Sequence, residues 1–263
     1  MCKKGTNSPT SPGSSCPIDE TTKACANIPK GCEYLNKPFT VEAPQSDFDR
    51  IRSPSTIGPA KAIQYTFPGD NAPQDAFEQE VDVKGHKVKV ITPKNPPANG
   101  KKLPTADEIT KSLGAVPDDQ LNSIQTVVDS PNPNPSDAYW AQQYNTPNFS
   151  SAATGGNKTV TFYPQDSFSQ PFTDSTMIHE GGHAYSQDLW NDAAKKQAWQ
   201  NAINSDQPNS PSKYADNSIG EDFSESLVMY SLSKGTPCEA TAKKLYPNRY
   251  KLLDSMFAKG TSK

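Results

Sequence analysis

Apolar and polar residues begin to alternate with a period of two near residue 62, after a long stretch with no regular period. Ala62-Ile63-Gln64-Tyr65-Thr66-Phe67 reads as a strand. Val81, Val83, Val88 and Val90 alternate around Lys84-Gly85-His86-Lys87, the pattern of a hairpin with glycine in a short loop. His86 falls at its tip, where a solvated turn histidine is expected rather than a ligand. Thr105-Ala-Asp-Glu108 is a capping box, and Gly114 is the expected stop, so 106–113 reads as a helix. Pro117-Asp118 is expected to start another, with Leu121, Ile124 and Val128 at helical spacing. A Pro/Asn stretch at 131–135 precedes a short aromatic helix around Tyr139-Trp140. Lys158-Thr-Val-Thr-Phe-Tyr163 is a compact strand between Gly155-Gly156-Asn157 and Pro164. Beyond about 172 the chain reads as mainly helical, and Thr236-Pro237-Cys238-Glu239 is expected to open the last helical region, with Pro at its first position.

Composition changes this picture mostly at the N-terminus. Only 41 of the 263 residues are Leu, Ile, Val or Phe, and mean hydropathy is −0.78, values at which disorder enters consideration. The dilution is concentrated in residues 1–60, rich in Ser, Thr, Pro, Asn and Lys. They read as a partly extended leader, with a single α+β domain over 61–263. The start, Met1-Cys2-Lys3-Lys4-Gly5, lacks the apolar segment of a secretory signal, so a mature form or a fragment is expected. Cysteines at 2, 16, 25, 32 and 238 form no CxxC pair. They suggest a disulfide-braced N-terminal segment in an oxidising place, with connectivity open. A net charge of −3 without a long Lys/Arg block argues against nucleic acid as the main partner. No apolar run approaches the roughly 20 residues of a membrane span.

Chemistry concentrates at His179-Glu180-Gly181-Gly182-His183. Thr173 or Asp174 is the expected cap of the helix that carries it. Positions i and i+4 share one helix face, so both imidazoles can reach one ion, and the intervening glutamate is placed to take a proton from water. Gly181 and Gly182 cost about 1 kcal/mol each relative to alanine inside a helix. That cost is reasonable only where the backbone must lie close to another element or a substrate. A third ligand is needed. Ser186 and Leu189 stand where the extended histidine motif would place its Gly and last His, and His86 lies far upstream. The helix after Asn217 offers Glu221, Asp222 and Glu225. Glu221 and Glu225 share a face, so one can bind the metal while the other orients a ligand histidine. Phe223 and Leu227 are expected to anchor that helix in the core.

With its HEGGH motif, then Tyr214, then Glu221-Asp-Phe-Ser-Glu225, the chain resembles zincin metallopeptidases with a glutamate third ligand. Anthrax lethal factor and the bacterial Pro-Pro endopeptidases are of this type. The resemblance implies one zinc ion held by His179, His183 and Glu221. It implies Glu180 as general base and acid, Tyr214 as oxyanion stabiliser, and Glu225 as the carboxylate behind a ligand histidine. It also implies a zincin-like α+β fold: a small, mostly antiparallel sheet over the motif helix and a helical C-terminal half. The edge strand of that sheet, at Thr159, Val160, Thr161 and Phe162, would pair with an extended substrate. The region from Asp118 to the motif is similar to metallopeptidase toxin domains attached to bacterial VgrG and Rhs secretion-system proteins.

The expected activity is therefore zinc-dependent endopeptidase. The expected partner is a target-cell protein or a peptidoglycan peptide, with a secretion-system carrier or an immunity protein as possible further partners. A secreted housekeeping peptidase is a third substrate reading. The expected location is outside the producing cell, in a target cell or in a periplasm. The alternative of another class is a non-catalytic zinc-stabilised binding module acting through its Pro-rich leader.

Overall fold

The computed structural model describes residues 28–36 and 43–257. The valine alternation folds into the hairpin β3 (Gln74–Val83) and β4 (His86–Pro93). Its two loop residues, Lys84 and Gly85, both have positive φ (52° and 87°). That matches the right-handed twist of the strands, and glycine adopts it without strain. β1 (Ser55–Ile57) and β2 (Lys61–Tyr65) pair antiparallel with the second and first halves of β3.

Helix α1 (Gln45–Ile51) precedes β1, and α2 (Ala106–Ala115) follows β4. The capping box at the start of α2 forms as expected, Thr105 Oγ1 accepting from Glu108 N and Glu108 Oε2 from Thr105 N. Gly114 does not stop α2. It lies inside the helix, where a Cβ would come within 2.6 Å of the Ser53 carbonyl, so it serves a close chain crossing.

The helix expected from Asp118 to Val128 is a single turn, α3 (Asp118–Leu121), followed by strand β5 (Thr126–Asp129). β5 runs parallel to β4 on one side and to β7 (Thr159–Phe162) on the other. Paired on both sides, β5 carries no period-two alternation across Thr126-Val-Val-Asp129, so Leu121, Ile124 and Val128, spread over α3, the following turn and β5, mimic a helical period. After α4 (Asp137–Gln143), strand β6 (Ala153–Gly156) pairs antiparallel with β7. The sheet order is β1-β3-β4-β5-β7-β6, with β2 also on β3.

The architecture is α+β with a mixed sheet of seven strands, larger than expected but mostly antiparallel as expected, with four antiparallel and two parallel pairings. Thr159, Val160, Thr161 and Phe162 are not an edge strand. Both sides of β7 are paired, and the edge beside the motif helix is β6.

The C-terminal half is helical as expected: α5 (Gln170–Leu189), α6 (Ala193–Asp206), α7 (Ile219–Ser233), α8 (Glu239–Leu245) and α9 (Pro247–Phe257). α5 starts at Ser169, whose hydroxyl accepts from Phe172 N, and not at Thr173 or Asp174. Asp174 is instead buried and bound by Arg52, Ser112 and Gln170. α8 begins after Cys238, because Thr236 Oγ1 accepts from Cys238 N in a turn ahead of the helix.

Position 60 is not a boundary of the core. Cys32, Tyr34, Leu35, Ala43 and Phe48 are buried in the same cluster as Met177, Ile178 and Phe223. A Cys32–Cys238 disulfide ties the segment to the start of α8. Cys2, Cys16 and Cys25 lie outside the described residues.

Candidate metal centre

α5 is the axis on which the site is built. Its neighbours include α7, α2 and β6, and the glycines around the motif are what lets them approach. A Cβ at Gly181 would meet Gln120 Nε2 at 2.8 Å and Ile124 Cδ1 at 2.9 Å. One at Gly182 would meet Ser224 Oγ at 2.9 Å on α7. A Cβ at Gly155 on β6 would lie 1.9 Å from the carbonyl oxygen of Glu180 itself. The helix-internal glycines are thus explained by protein contacts. Gln120 also donates a hydrogen bond to the Ile178 carbonyl, one residue before the motif.

With α5 and α7 this close, the motif histidines meet the acidic turn of α7. Ser218 caps α7 by accepting from Glu221 N at 3.1 Å, which fixes the first turn and the direction of Glu221. Glu221 Oε2 lies 3.0 Å from His179 Nε2 and 3.2 Å from His183 Nε2, and the two Nε2 atoms are 3.2 Å apart. One turn on, Glu225 Oε1 lies 2.7 Å from His179 Nδ1. His179, Glu180 and Glu225 are fully buried, Glu221 is nearly so, and the His183 side chain remains 18% exposed on the open side. Phe223 and Leu227 are buried, as expected of anchors.

This donor set can hold a divalent cation. Bonds of about 2.0–2.1 Å in a tetrahedron imply ligand–ligand edges of about 3.3–3.4 Å, and the Nε2–Nε2–Oε2 triangle has edges of 3.0–3.2 Å. Glu180 also offers an oxygen, within 4.8 Å of both histidines' ligand atoms. Glu221 Oε2 lies within 3.2 Å of both Nε2 atoms. Asp222, the third carboxylate in the sequence pattern, is committed elsewhere: Arg249 holds it through Nε and Nη2, and the Trp199 indole donates to it.

Electrostatics favour positive charge at this spot. Burial works against an imidazolium at His179, yet hydrogen bonds to Glu221 and Glu225 outweigh it and push its pKa up to about 9. Two carboxylates converging on one buried ring favour a cation there, whether a proton or a metal ion supplies the charge.

Tyr214 is brought into the site as well. Its hydroxyl donates to Glu221 Oε1 at 3.3 Å, and its ring centroid is 5.8 Å from that of His179. The structure therefore gathers His179, Glu180, His183, Tyr214, Glu221 and Glu225 in one place. His86 begins β4 as the register partner of Val83 and has no part in the group. Two residues escaped the sequence reading. Gly155 packs on the motif backbone, and Tyr144, at the end of α4, meets the Tyr214 ring edge-on. A Gly155-Gly156 pair ahead of a strand was the available signal for the first. Nothing in the pattern around Tyr144 distinguishes it from the other tyrosines.

Compared with known proteins, the chain matches no family model, no curated protein and no solved structure.

Proposed function

We propose that this protein is a zinc-dependent endopeptidase of zincin-like arrangement. The observation that carries the proposal is the triangle of His179 Nε2, His183 Nε2 and Glu221 Oε2, with Glu180 beside it. His179, His183 and Glu221 would hold the ion. Glu225 keeps the His179 ring in place through Nδ1, directing Nε2 at the ion. When bound, zinc supplies Lewis acidity to water and to a peptide carbonyl.

Within this reading Glu180 accepts a proton from the attacking water. The C–O bond forms as charge builds on the carbonyl oxygen, and the Tyr214 hydroxyl donates to that oxyanion. Glu180 then returns the proton to the leaving amine as the C–N bond breaks. The β6 edge, Ala153–Gly156, is the strand beside the motif that can take an extended substrate by strand addition, the part expected of Thr159–Phe162. The Cys32–Cys238 bridge supports action in an oxidising place, outside the producing cell or in a periplasm.

The test is metal analysis with a peptide-library cleavage assay, wild type beside Glu180→Gln. The expected outcome is one zinc per chain in both proteins and a 100- to 10,000-fold lower rate, in order of magnitude about that of a lost general base, in the variant. Stoichiometric zinc with no cleavage by wild type would favour the binding-module reading instead. Purified sacculi and unstructured protein, offered in parallel, separate the cell-wall from the protein substrate class.

A further inference from the structure

The part of the site that the mechanism above leaves unused is the aromatic face of α4. Trp140 and Tyr144 stack at 5.5 Å with ring planes 18° apart. Phe149 packs against Tyr144 from the following loop at 5.4 Å. Tyr144 in turn meets Tyr214 edge-on, with centroids 6.3 Å apart. Burial and the nearby Glu221 carboxylate push the pKa of the Tyr144 hydroxyl up to about 12, with Tyr214 as a neighbour that works the other way. The ring is held by Trp140, Phe149 and Tyr214, and Tyr214 itself donates to Glu221 Oε1, so Tyr144 stands one ring away from the metal triangle. α4 lies on the β5–β6 connection and Tyr214 on the α6–α7 connection, so the two phenols come to one place from separate parts of the chain.

We propose that Tyr144 is a second oxyanion donor, acting beside Tyr214 on the peptide carbonyl oxygen as negative charge develops there. The inference rests on the peptidase reading. Two phenols sharing one oxyanion give a site that binds the tetrahedral arrangement better than the planar amide, so the effect falls on turnover more than on substrate binding. Tyr144→Phe keeps the ring, its stack on Trp140 and its packing on Phe149, and removes only the hydroxyl.

The test compares wild type, Tyr144→Phe and Glu180→Gln on a peptide that wild type cleaves, and measures affinity for a phosphinic peptide that mimics the tetrahedral species. The expected result for Tyr144→Phe is a kcat lower by about 10- to 100-fold. KM and zinc content stay unchanged, and affinity for the phosphinic peptide falls in parallel with kcat. An unchanged kcat overturns the proposal. So does a loss confined to KM or accompanied by loss of zinc, since Tyr144 would then be shaping the binding surface or the metal site. If wild type cleaves nothing, the peptidase reading fails and this proposal with it. If Glu180→Gln loses activity while Tyr144→Phe keeps it, only the present inference fails.

Discussion

Asp129 is buried at the end of β5, and its Oδ1 has no hydrogen-bond partner. Burial, with a smaller contribution from Glu108, raises its pKa well above the ordinary 3.8. The sign of the consequence follows from proton counting. Between pH 3.8 and its raised folded value, the native state keeps a proton that the unfolded chain has released, so stability falls as pH rises through that window. Asp129→Asn removes the titration while keeping the shape. The variant should gain stability over wild type between pH 4 and pH 7, read as a growing difference in denaturation midpoint. A difference constant across that range would contradict the assignment. Glu221 shows the opposite outcome: facing both histidines and the Tyr214 hydroxyl, its carboxyl is held well below the ordinary value despite burial. At this scale the site was legible. His179, Glu180 and His183 stand in a motif whose spacing is dictated by one helical turn, and Glu221 and Glu225 repeat that spacing. Spacing alone did not show which of Glu221, Asp222 and Glu225 faces the histidines. The Arg249 and Trp199 partners of Asp222 decide it, and they lie 27 and 23 residues away in sequence.

Among elements, the closest fits are made where glycine has no side chain to interpose. β6 lies so near α5 that a Cβ on Gly155 would overlap the Glu180 carbonyl at 1.9 Å, and both atoms belong to backbone that cannot swing aside. Gly155→Ala should therefore destabilise the protein by about 3 kcal/mol, the upper end of ordinary overpacking. It should also displace β6 from the motif. Chemical denaturation measures the first effect, and wild-type stability in the variant would show that β6 does not pack this tightly. The secondary structure itself was partly legible. Helices with a capping box or an apolar stripe were, and so was the β3–β4 hairpin, since these signals are local. β5 was misread as helix because a strand buried between two parallel partners has lost the period-two signature. β7 was placed at the edge because nothing in its own residues reports whether one neighbour or two will pair with it.

For the molecule as a whole, the Cys32–Cys238 bridge encloses most of the described chain, joining residues 206 positions apart. Closing a loop of that size restricts the unfolded state strongly, and removing the bridge should cost about 2–5 kcal/mol. The double variant Cys32→Ala with Cys238→Ala should show a lower guanidinium midpoint than the oxidised wild type. It should bind zinc in the same stoichiometry, since the bridge lies outside the metal triangle. Equal midpoints would mean the bridge adds no stability. Among the described residues no helix is long and apolar enough to cross a membrane. The low apolar fraction of the sequence is compatible with a full core because it is unevenly distributed: one buried cluster holds residues from Cys32 to Leu253, beside two small ones around Phe67 and Ala152.

The sequence by itself determined the chemistry that can be proposed. A five-residue helical motif, a tyrosine and two glutamates one turn apart are local patterns, readable without knowing where the chain goes next. It also determined the helical C-terminal half and the β3–β4 hairpin, where period and turn residues agree. Only the tertiary structure decided which carboxylate meets the histidines, that β6 and not β7 forms the edge beside the motif, and that Cys32, Tyr34, Leu35, Ala43 and Phe48 belong to the core. It alone brought Tyr144 to the site. Each of these depends on contacts between residues far apart in the chain, and no residue's own type or spacing encodes which distant partner will cover it.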